Sequence, residues 1–454
     1  MTDAVRAAVE RLRDPLVETL SELIRIPSVT PNYPGLVPDE HIGREGEVSR
    51  RLADEWARAG CKVDVFGAVA GRENAVGVLR GTGGGRSLIL NGHVDVVPSG
   101  PAHEWADGDP WSGRVERGRV WGRGATDMKG GLVAQAFVVR ALHEAGVTLA
   151  GDVVLQAAVG EEMMEHELGT TACVEHGPRA DAAIVGEATA PPAPLAVSPV
   201  TPGVVWCTIS VEGRATHASM RGITLRPARD EREPLGVSAV DKIVLLHGAL
   251  AELERRWTTT KRHALFEPGH FSILPGVIVG SPKSGLVPFM VPDEARLEVV
   301  VWSHPDDSIE AIHAEVEACL RDAAARDPWL LEHPPAVTWR PPWPPSALDP
   351  GHPIVAATAR AHELATGRSA TIHGFAAVDD ATFLNAAGIP AITYGPGDLR
   401  AAHAVDESVA INELVTAATT YALAALEWCG TASTRSRYVR SLASSVSQPS
   451  LLPR

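Results

Sequence analysis

Asn91-Gly92-His93-Val94-Asp95-Val96-Val97-Pro98 follows the apolar run Ser87-Leu88-Ile89-Leu90. A short apolar run that reaches a Gly reads as a buried strand entering a turn. His93 and Asp95 are two residues apart, so on extended backbone both side chains leave the same side of the chain. A neutral imidazole is a common metal ligand, and a neighbouring carboxylate is a common means of fixing its tautomer and orientation. Alone, such a pair more often closes a loop than binds anything. Its meaning comes from the rest of the chain.

Three more strand-like segments end in candidate ligands. Asp152 to Val159 runs into Gly160-Glu161-Glu162, Asp181 to Val185 into Gly186-Glu187, and Pro390 to Tyr394 into Gly395-Pro396-Gly397 and then Ala402-His403-Ala404-Val405-Asp406-Glu407. Between Pro98 and Asp152, Gly122-Arg123-Gly124-Ala125-Thr126-Asp127-Met128-Lys129-Gly130-Gly131 leads into a small-residue helix from Leu132 to Leu142. Asp127 stands at that helix entrance, where an Asp ordinarily serves as an N-cap. Glu161 and Glu162, taken by themselves, read as acids favouring a helix N-terminus. In an open α/β sheet, however, the loops at the carboxyl ends of the strands converge on the ligand crevice. Two imidazoles and several carboxylates meeting there repel and resist desolvation unless something compensates them. A pair of divalent cations does so. The expected assignment is His93 and Glu187 on one ion, Glu162 and His403 on the other, and Asp127 bridging. Nitrogen and oxygen donors with two His fit Zn²⁺ best, with Co²⁺ or Mn²⁺ also acceptable by ligand type. Such a pair suits hydrolysis, one ion lowering the pKa of a shared water and the other polarising a carbonyl. Glu161, beside a ligand but pointing elsewhere, suits the general base.

Composition bounds the remaining choices. The chain has 454 residues, enough for two domains, with 45% hydrophobic and 21% charged residues. Its net charge of -15 argues against a nucleic-acid partner, which needs a cationic face. No apolar run approaches the roughly 18 residues of a membrane span, and Met1 to Arg25 lacks the pattern of a signal peptide. The 5 cysteines are scattered without a C-x-x-C pair, which predicts reduced thiols and a cytoplasmic location. Gly81-Thr82-Gly83-Gly84-Gly85 leads into a strand and lacks a following Lys-Ser or Lys-Thr, so it reads as a turn and not a phosphate loop.

Early in the chain, helical spacing covers Val5 to Leu12, Leu16 to Ile24 and Glu47 to Gly60, with a loop from Tyr33 to Gly46. The middle differs in texture. A strand from Val204 to Val211, a helix from about Val237 to Trp257, strands near Phe271 to Val279 and Ala295 to Trp302, and a helix from about Ser308 to Ala325 fit an α+β domain inserted into the larger one. The Pro-rich run Pro341 to Pro345 marks the return. The expected division is residues 1–198 and 344–430 in a metal-binding domain and residues 199–343 in the insertion. Residues 431–454, Ser-rich with little apolar pattern, read as a disordered tail.

The blocks NGHVDVVP, GRGATDMKGG, Glu161-Glu162, GEAT around Glu187 and AHAVDE around His403 resemble those of the dinuclear zinc hydrolases that include acetylornithine deacetylase, succinyl-diaminopimelate desuccinylase and carboxypeptidase G, in order and approximate spacing over about residues 10 to 430. The resemblance implies an α/β catalytic domain with a mixed sheet flanked by helices and an inserted α+β, ferredoxin-like lid that is also a dimer surface. It implies two zinc ions on His93, Asp127, Glu162, Glu187 and His403, Glu161 as general base and Asp95 orienting His93. His217 matches the lid His that stabilises the oxyanion across the dimer. Asp380, Gly395 and Gly397 match positions lining the substrate pocket.

Two features depart from many relatives. Trp302 stands where an Arg grips the substrate's α-carboxylate, and a Trp cannot pair with a carboxylate as Arg does. The charged loop from Arg221 to Glu233 is also longer than in short relatives. Both resemble the branch that includes formylaminopyrimidine deformylases. The expected protein is a cytoplasmic dinuclear metal amidohydrolase, homodimeric through its lid, acting on a small N-acylated substrate without nucleic-acid or membrane partners. A metallo-carboxypeptidase or dipeptidase and a non-catalytic metal-binding module are the alternatives, the presence of Glu161 arguing against the last.

Overall fold

The computed structural model describes residues 1–33, 35–36, 42–224 and 234–432. Of the expected tail 431–454, residues 431 and 432 are ordered by pairing with Leu149 and Thr148; the rest, and most of the charged loop after Arg221, lie outside the described residues. The chain divides into two compact units. One comprises Met1–Pro199, Leu348–Ile372 and the described residues from Asp379 on; the other comprises Val200–Ala347 and His373–Val378. The short stretch His373–Val378 joins the inserted unit although it lies well past the Pro-rich run, because Phe375 N donates to Val200 O and Gly374 N donates to Leu265 O. That pairing is made through space and leaves no local pattern in the sequence.

The larger unit is built on a six-stranded sheet in the order Lys62–Phe66, Asn74–Leu79, Val153–Ala158, Leu88–His93, Ala182–Val185, Ala391–Thr393. The last four are mutually parallel and the first two join antiparallel, which makes the sheet mixed. Its central strands are buried and largely apolar on both faces because both are covered. Leu88, Leu90, Leu155 and Ile184 point into a core with the helices Thr2–Arg11, Gly130–Glu144, Pro353–Thr366 and Ile411–Cys429. Ile89, Val154, Ala183 and Val185 point the other way, against Thr170–His176 and Ala381–Ala386. Gly131 permits the close approach of the helix Gly130–Glu144 to the sheet end: a Cβ there would stand 1.9 Å from Gly186 O. Register puts His93 opposite Ala158, so the ends of the parallel strands, and the loops that follow them, come out on one edge.

The smaller unit runs strand-helix-strand-strand-helix-strand, with sheet order Ile273–Ser281, Glu294–Ser303, Gly203–Glu212, Ala336–Trp339, all antiparallel. This is the ferredoxin-like arrangement. Val205, Cys207, Ile209 and Val211 alternate inward against Ile243, Leu246 and Leu250 of Ala239–Thr260 and Ile312 and Val316 of Ile309–Ala324. Both helices start at a Ser whose hydroxyl accepts from a first-turn N–H, Ser238 from Asp241 and Ser308 from Ala311. Ile273–Ser281 is one of the two edge strands, and Leu274, Val277, Ile278 and Val279 on it are exposed.

Candidate metal centre and active site

His93 ends its strand fully buried, with Nε2 3.1 Å from Asp127 Oδ1 and 3.0 Å from Glu187 Oε1. His403 points its Nε2 at Asp127 Oδ2 and Glu162 Oε2, each 3.1 Å away. Two donor triads result, His93–Asp127–Glu187 and Asp127–Glu162–His403, whose ligand atoms lie within 4.8 Å of one another in each and which share Asp127. Each Asp127 oxygen faces a different imidazole. Glu162 Oε1 is buried without a hydrogen-bond partner, as fits a carboxylate oxygen placed to hold a cation. The nitrogen and oxygen donor set, with two neutralisable His, suits Zn²⁺-like divalent ions. The five residues expected to converge do so.

Glu161 belongs to neither triad; its Oε2 stands 3.7 Å from His93 Nε2. Glu161 and Glu162 are aimed differently because they lie on a tight turn, Glu161–Met163, entered through Gly160 at φ 81°. Asp95 contributes in a way the sequence did not indicate. His93 Nδ1 is 2.9 Å from the Asp95 carbonyl, which fixes the tautomer, while the Asp95 carboxylate lies farther, at 3.7 Å. That carboxylate instead accepts from Gly160 N at 2.9 Å and Glu162 N at 3.2 Å, so it holds the glutamate turn.

The electrostatics follow from crowding in a dry place. Burial, with Asp127 adding to it, pushes the Glu187 carboxyl up to about 8. Burial also raises Glu161 well above the usual range, with Glu162, Glu187 and Asp380 contributing as like charges. Asp127 is the exception: burial pushes it up, but hydrogen bonds from His403 and His93 hold it well below the ordinary value.

Asp380 is buried at the start of Ala381–Ala386, its Oδ1 without a partner and its carboxyl raised to about 6 by burial. Gly395 and Gly397 are buried, and both have packing reasons to be Gly: a Cβ on Gly395 would stand 2.2 Å from Gly186 O, and Gly397, at φ +111°, donates its N–H to Glu413. His217 lies in the smaller unit, exposed, with Nδ1 2.8 Å from Ser219 Oγ. Trp302 lies there too, half-buried near the end of Glu294–Ser303. The sequence reasoning missed the supports. Asn74 Oδ1 accepts from Val159 N ahead of the glutamate turn, and Asn91 Nδ2 donates to Gln156 Oε1 on the neighbouring strand and to Thr170 Oγ1 at the start of a helix. A polar residue interrupting an otherwise apolar strand is the signal that would have found Asn91 and Gln156.

The family model described as Peptidase family M20/M25/M40 matches residues 89–427. The chain belongs to this family. It is a hydrolase of amide bonds. Among curated relatives it is similar to the N-formyl-4-amino-5-aminomethyl-2-methylpyrimidine deformylase of Halalkalibacterium halodurans, 33% identical, covering 93% of this chain and 98% of the relative. The deformylase of the same name from Bacillus subtilis is 32% identical, covering 89% and 94%. In fold it is similar to human carnosine dipeptidase 1, with a TM-score of 0.67 at 16% identity, covering 94% of this chain and 100% of that one. Among the described residues no helix is long and apolar enough to cross a membrane, and the cysteines are free.

Proposed function

We propose that the chain is a dinuclear metal-dependent amidohydrolase that removes an acyl group, formyl foremost, from an amine of a small metabolite. The observation that carries this is the pair of donor triads sharing Asp127 with Glu161 beside them and outside both. His93 and Glu187 would hold one ion, Glu162 and His403 the other, and Asp127 both; Zn²⁺ is the first choice, with Co²⁺ or Mn²⁺ acceptable. Ions bound there supply Lewis acidity, which acidifies a water and polarises the acyl carbonyl. Glu161 takes the proton of the attacking water and delivers it to the leaving amine. The Asp95 carbonyl keeps His93 in the tautomer that offers Nε2. Asp380, with a buried oxygen lacking a partner, is assigned to a donor on the substrate.

The likeness to two deformylases at 33% and 32% identity supports formyl as the acyl group. His217 is assigned to the developing oxyanion of a second copy's site, and the exposed apolar edge strand Ile273–Ser281 supports pairing of two copies through the inserted unit. Free, mostly buried thiols support a cytoplasmic location. The test is amine release from N-formyl, N-acetyl, N-succinyl and N-carbamoyl substrates and from a dipeptide, by metal-loaded and chelator-treated protein. N-formyl amines lacking an α-carboxylate are expected to turn over fastest, since Trp302 supplies no cation to favour the acid. Undiminished turnover after full metal removal, or a dipeptide preferred over every acyl amine, would overturn the proposal.

A further inference from the structure

Glu407 follows His403 by four residues and is wholly buried. An ionised carboxylate there needs partners, and all it has converge on the Asp127 turn. Its Oε2 is 2.6 Å from Arg123 Nη1, itself a buried guanidinium. Its Oε1 accepts from Thr126 N at 2.8 Å and from Asp127 N at 3.1 Å. Its carbonyl accepts from Gly122 N at 2.9 Å, and the next carbonyl, of Ser408, accepts from Thr126 Oγ1 at 2.9 Å. Asp127 and Met128 have non-helical dihedrals (φ -122°, ψ 95° and φ -129°, ψ 31°) just ahead of the helix Gly130–Glu144. The Asp127 N–H is thus met by a side chain distant in sequence instead of by a helical carbonyl.

We propose that Glu407 is a positioning residue for the metal centre: braced by Arg123, its carboxylate fixes the Asp127 backbone so that the two Asp127 oxygens face the two triads. The proposal rests on the dinuclear assignment above. Because Glu407 and His403 share one loop, a single carboxylate couples the bridging acid to the terminal His. A displaced Asp127 would unsettle both ions at once, which no other ligand could do.

The test separates acceptance of the backbone N–H groups from the mere burial of an ion pair. Glu407→Gln keeps an acceptor at the same reach and loses the charge; Glu407→Leu loses both; Glu407→Asp keeps the charge but falls short by a methylene. Affinity for Zn²⁺ is measured by chelator competition, the visible spectrum is recorded on Co²⁺-loaded protein, and Tm is taken on metal-free protein. Glu407→Gln still accepts from the Thr126 and Asp127 N–H groups but sets its NH2 against Arg123, and is expected to lose less affinity than the other two variants, with a cobalt spectrum nearer that of wild type. Glu407→Leu and Glu407→Asp are expected to lose about 10- to 100-fold in affinity, the range typical of partners outside the ligands, with an altered spectrum. Should the Leu variant not fold, the contrast between Gln and Asp carries the same decision. Equal affinities in all variants, or Gln as weak as Asp, would overturn the proposal. The wild-type titration reports separately on its basis: uptake of fewer than two ions refutes the dinuclear assignment itself.

Discussion

Replacing Glu161 by Gln is the most discriminating single perturbation of this site. The amide keeps the size of the side chain and removes only its ability to accept a proton. Glu161 lies outside both triads, so neither set of donors is altered. Its loss also relieves a crowd of like charges, since Glu162, Glu187 and Asp380 add to burial in raising its carboxyl. Nothing in the geometry therefore predicts loss of the ions. The expected cost is that of a missing general base, about 10²- to 10⁴-fold in kcat, equivalent to roughly 3–5 kcal/mol of transition-state stabilisation. The assay is kcat and KM on an N-formyl amine, with bound metal counted on the same preparation by elemental analysis. KM should change little, and the acidic limb of the pH–rate profile, which reports protonation of the base, should disappear. Loss of metal together with activity would mean that Glu161 is a ligand and that the roles of Glu161 and Glu162 are reversed. Activity within about tenfold of wild type, with both ions bound, would refute the assignment of the base.

Gly395→Ala should destabilise the fold by about 1–3 kcal/mol and weaken metal binding, because its Cβ would stand 2.2 Å from Gly186 O and 2.5 Å from Glu187 O; Gly276→Ala, with nothing within 4 Å, is the control that should be silent in both thermal melts and metal titration. Glu45, buried against Arg72, is raised to about 7 by burial and by Asp95. A carboxyl whose folded pKa lies above its unfolded value of 4.5 contributes stability that is fully present below 4.5 and lost as pH rises through about 7. Glu45→Gln should therefore flatten the fall in Tm across that window, and an unchanged profile would remove Glu45 from the account. Co-refolding inactive Glu161→Ala protein with inactive His217→Ala protein should restore about a quarter of wild-type activity if each site combines one copy's metals with the other's His217. No recovery in dimers shown to be mixed would place His217 outside the partner's site.

What could be foreseen from the sequence was whatever repeats along the chain. Leu88-Ile89-Leu90, Val153 to Ala158 and Ala182 to Val185 announce buried parallel strands, and in such a sheet the residue after the strand is at the crevice whatever else is unknown. His93, Glu162, Glu187 and His403 were found by that logic. Contacts across long sequence distances were not. The Asp95 carboxylate holds a turn 65 residues on, and nothing in H-x-D distinguishes that from holding the imidazole. His373–Val378 joins the smaller unit through hydrogen bonds to Val200 and Leu265, which no local periodicity encodes. Asp127 reads locally as an N-cap, yet the helix is entered at Lys129, the Asp127 carboxylate turns to His93 and His403, and its N–H is met by Glu407.

Charge accounting supports the proposal of two cations over one at this set of donors. Asp127, Glu162 and Glu187 bring three negative charges into the triads, and Glu161 brings a fourth beside them. Two divalent ions balance these four charges and leave His93 and His403 neutral, as imidazole ligands must be. One ion would leave two charges uncompensated in a region dry enough that burial already drives Glu187 up to about 8. With no ion, the carboxylates draw protons onto the imidazoles: His403 rises to about 11 although burial opposes it, and His93 moves in the same direction against the same opposition. Ion uptake must then displace those protons. Asp127 sits between both imidazoles and, with no ion, is held low by hydrogen bonds from each although burial opposes it. The acid that the protein keeps charged despite burial is the one that both triads share.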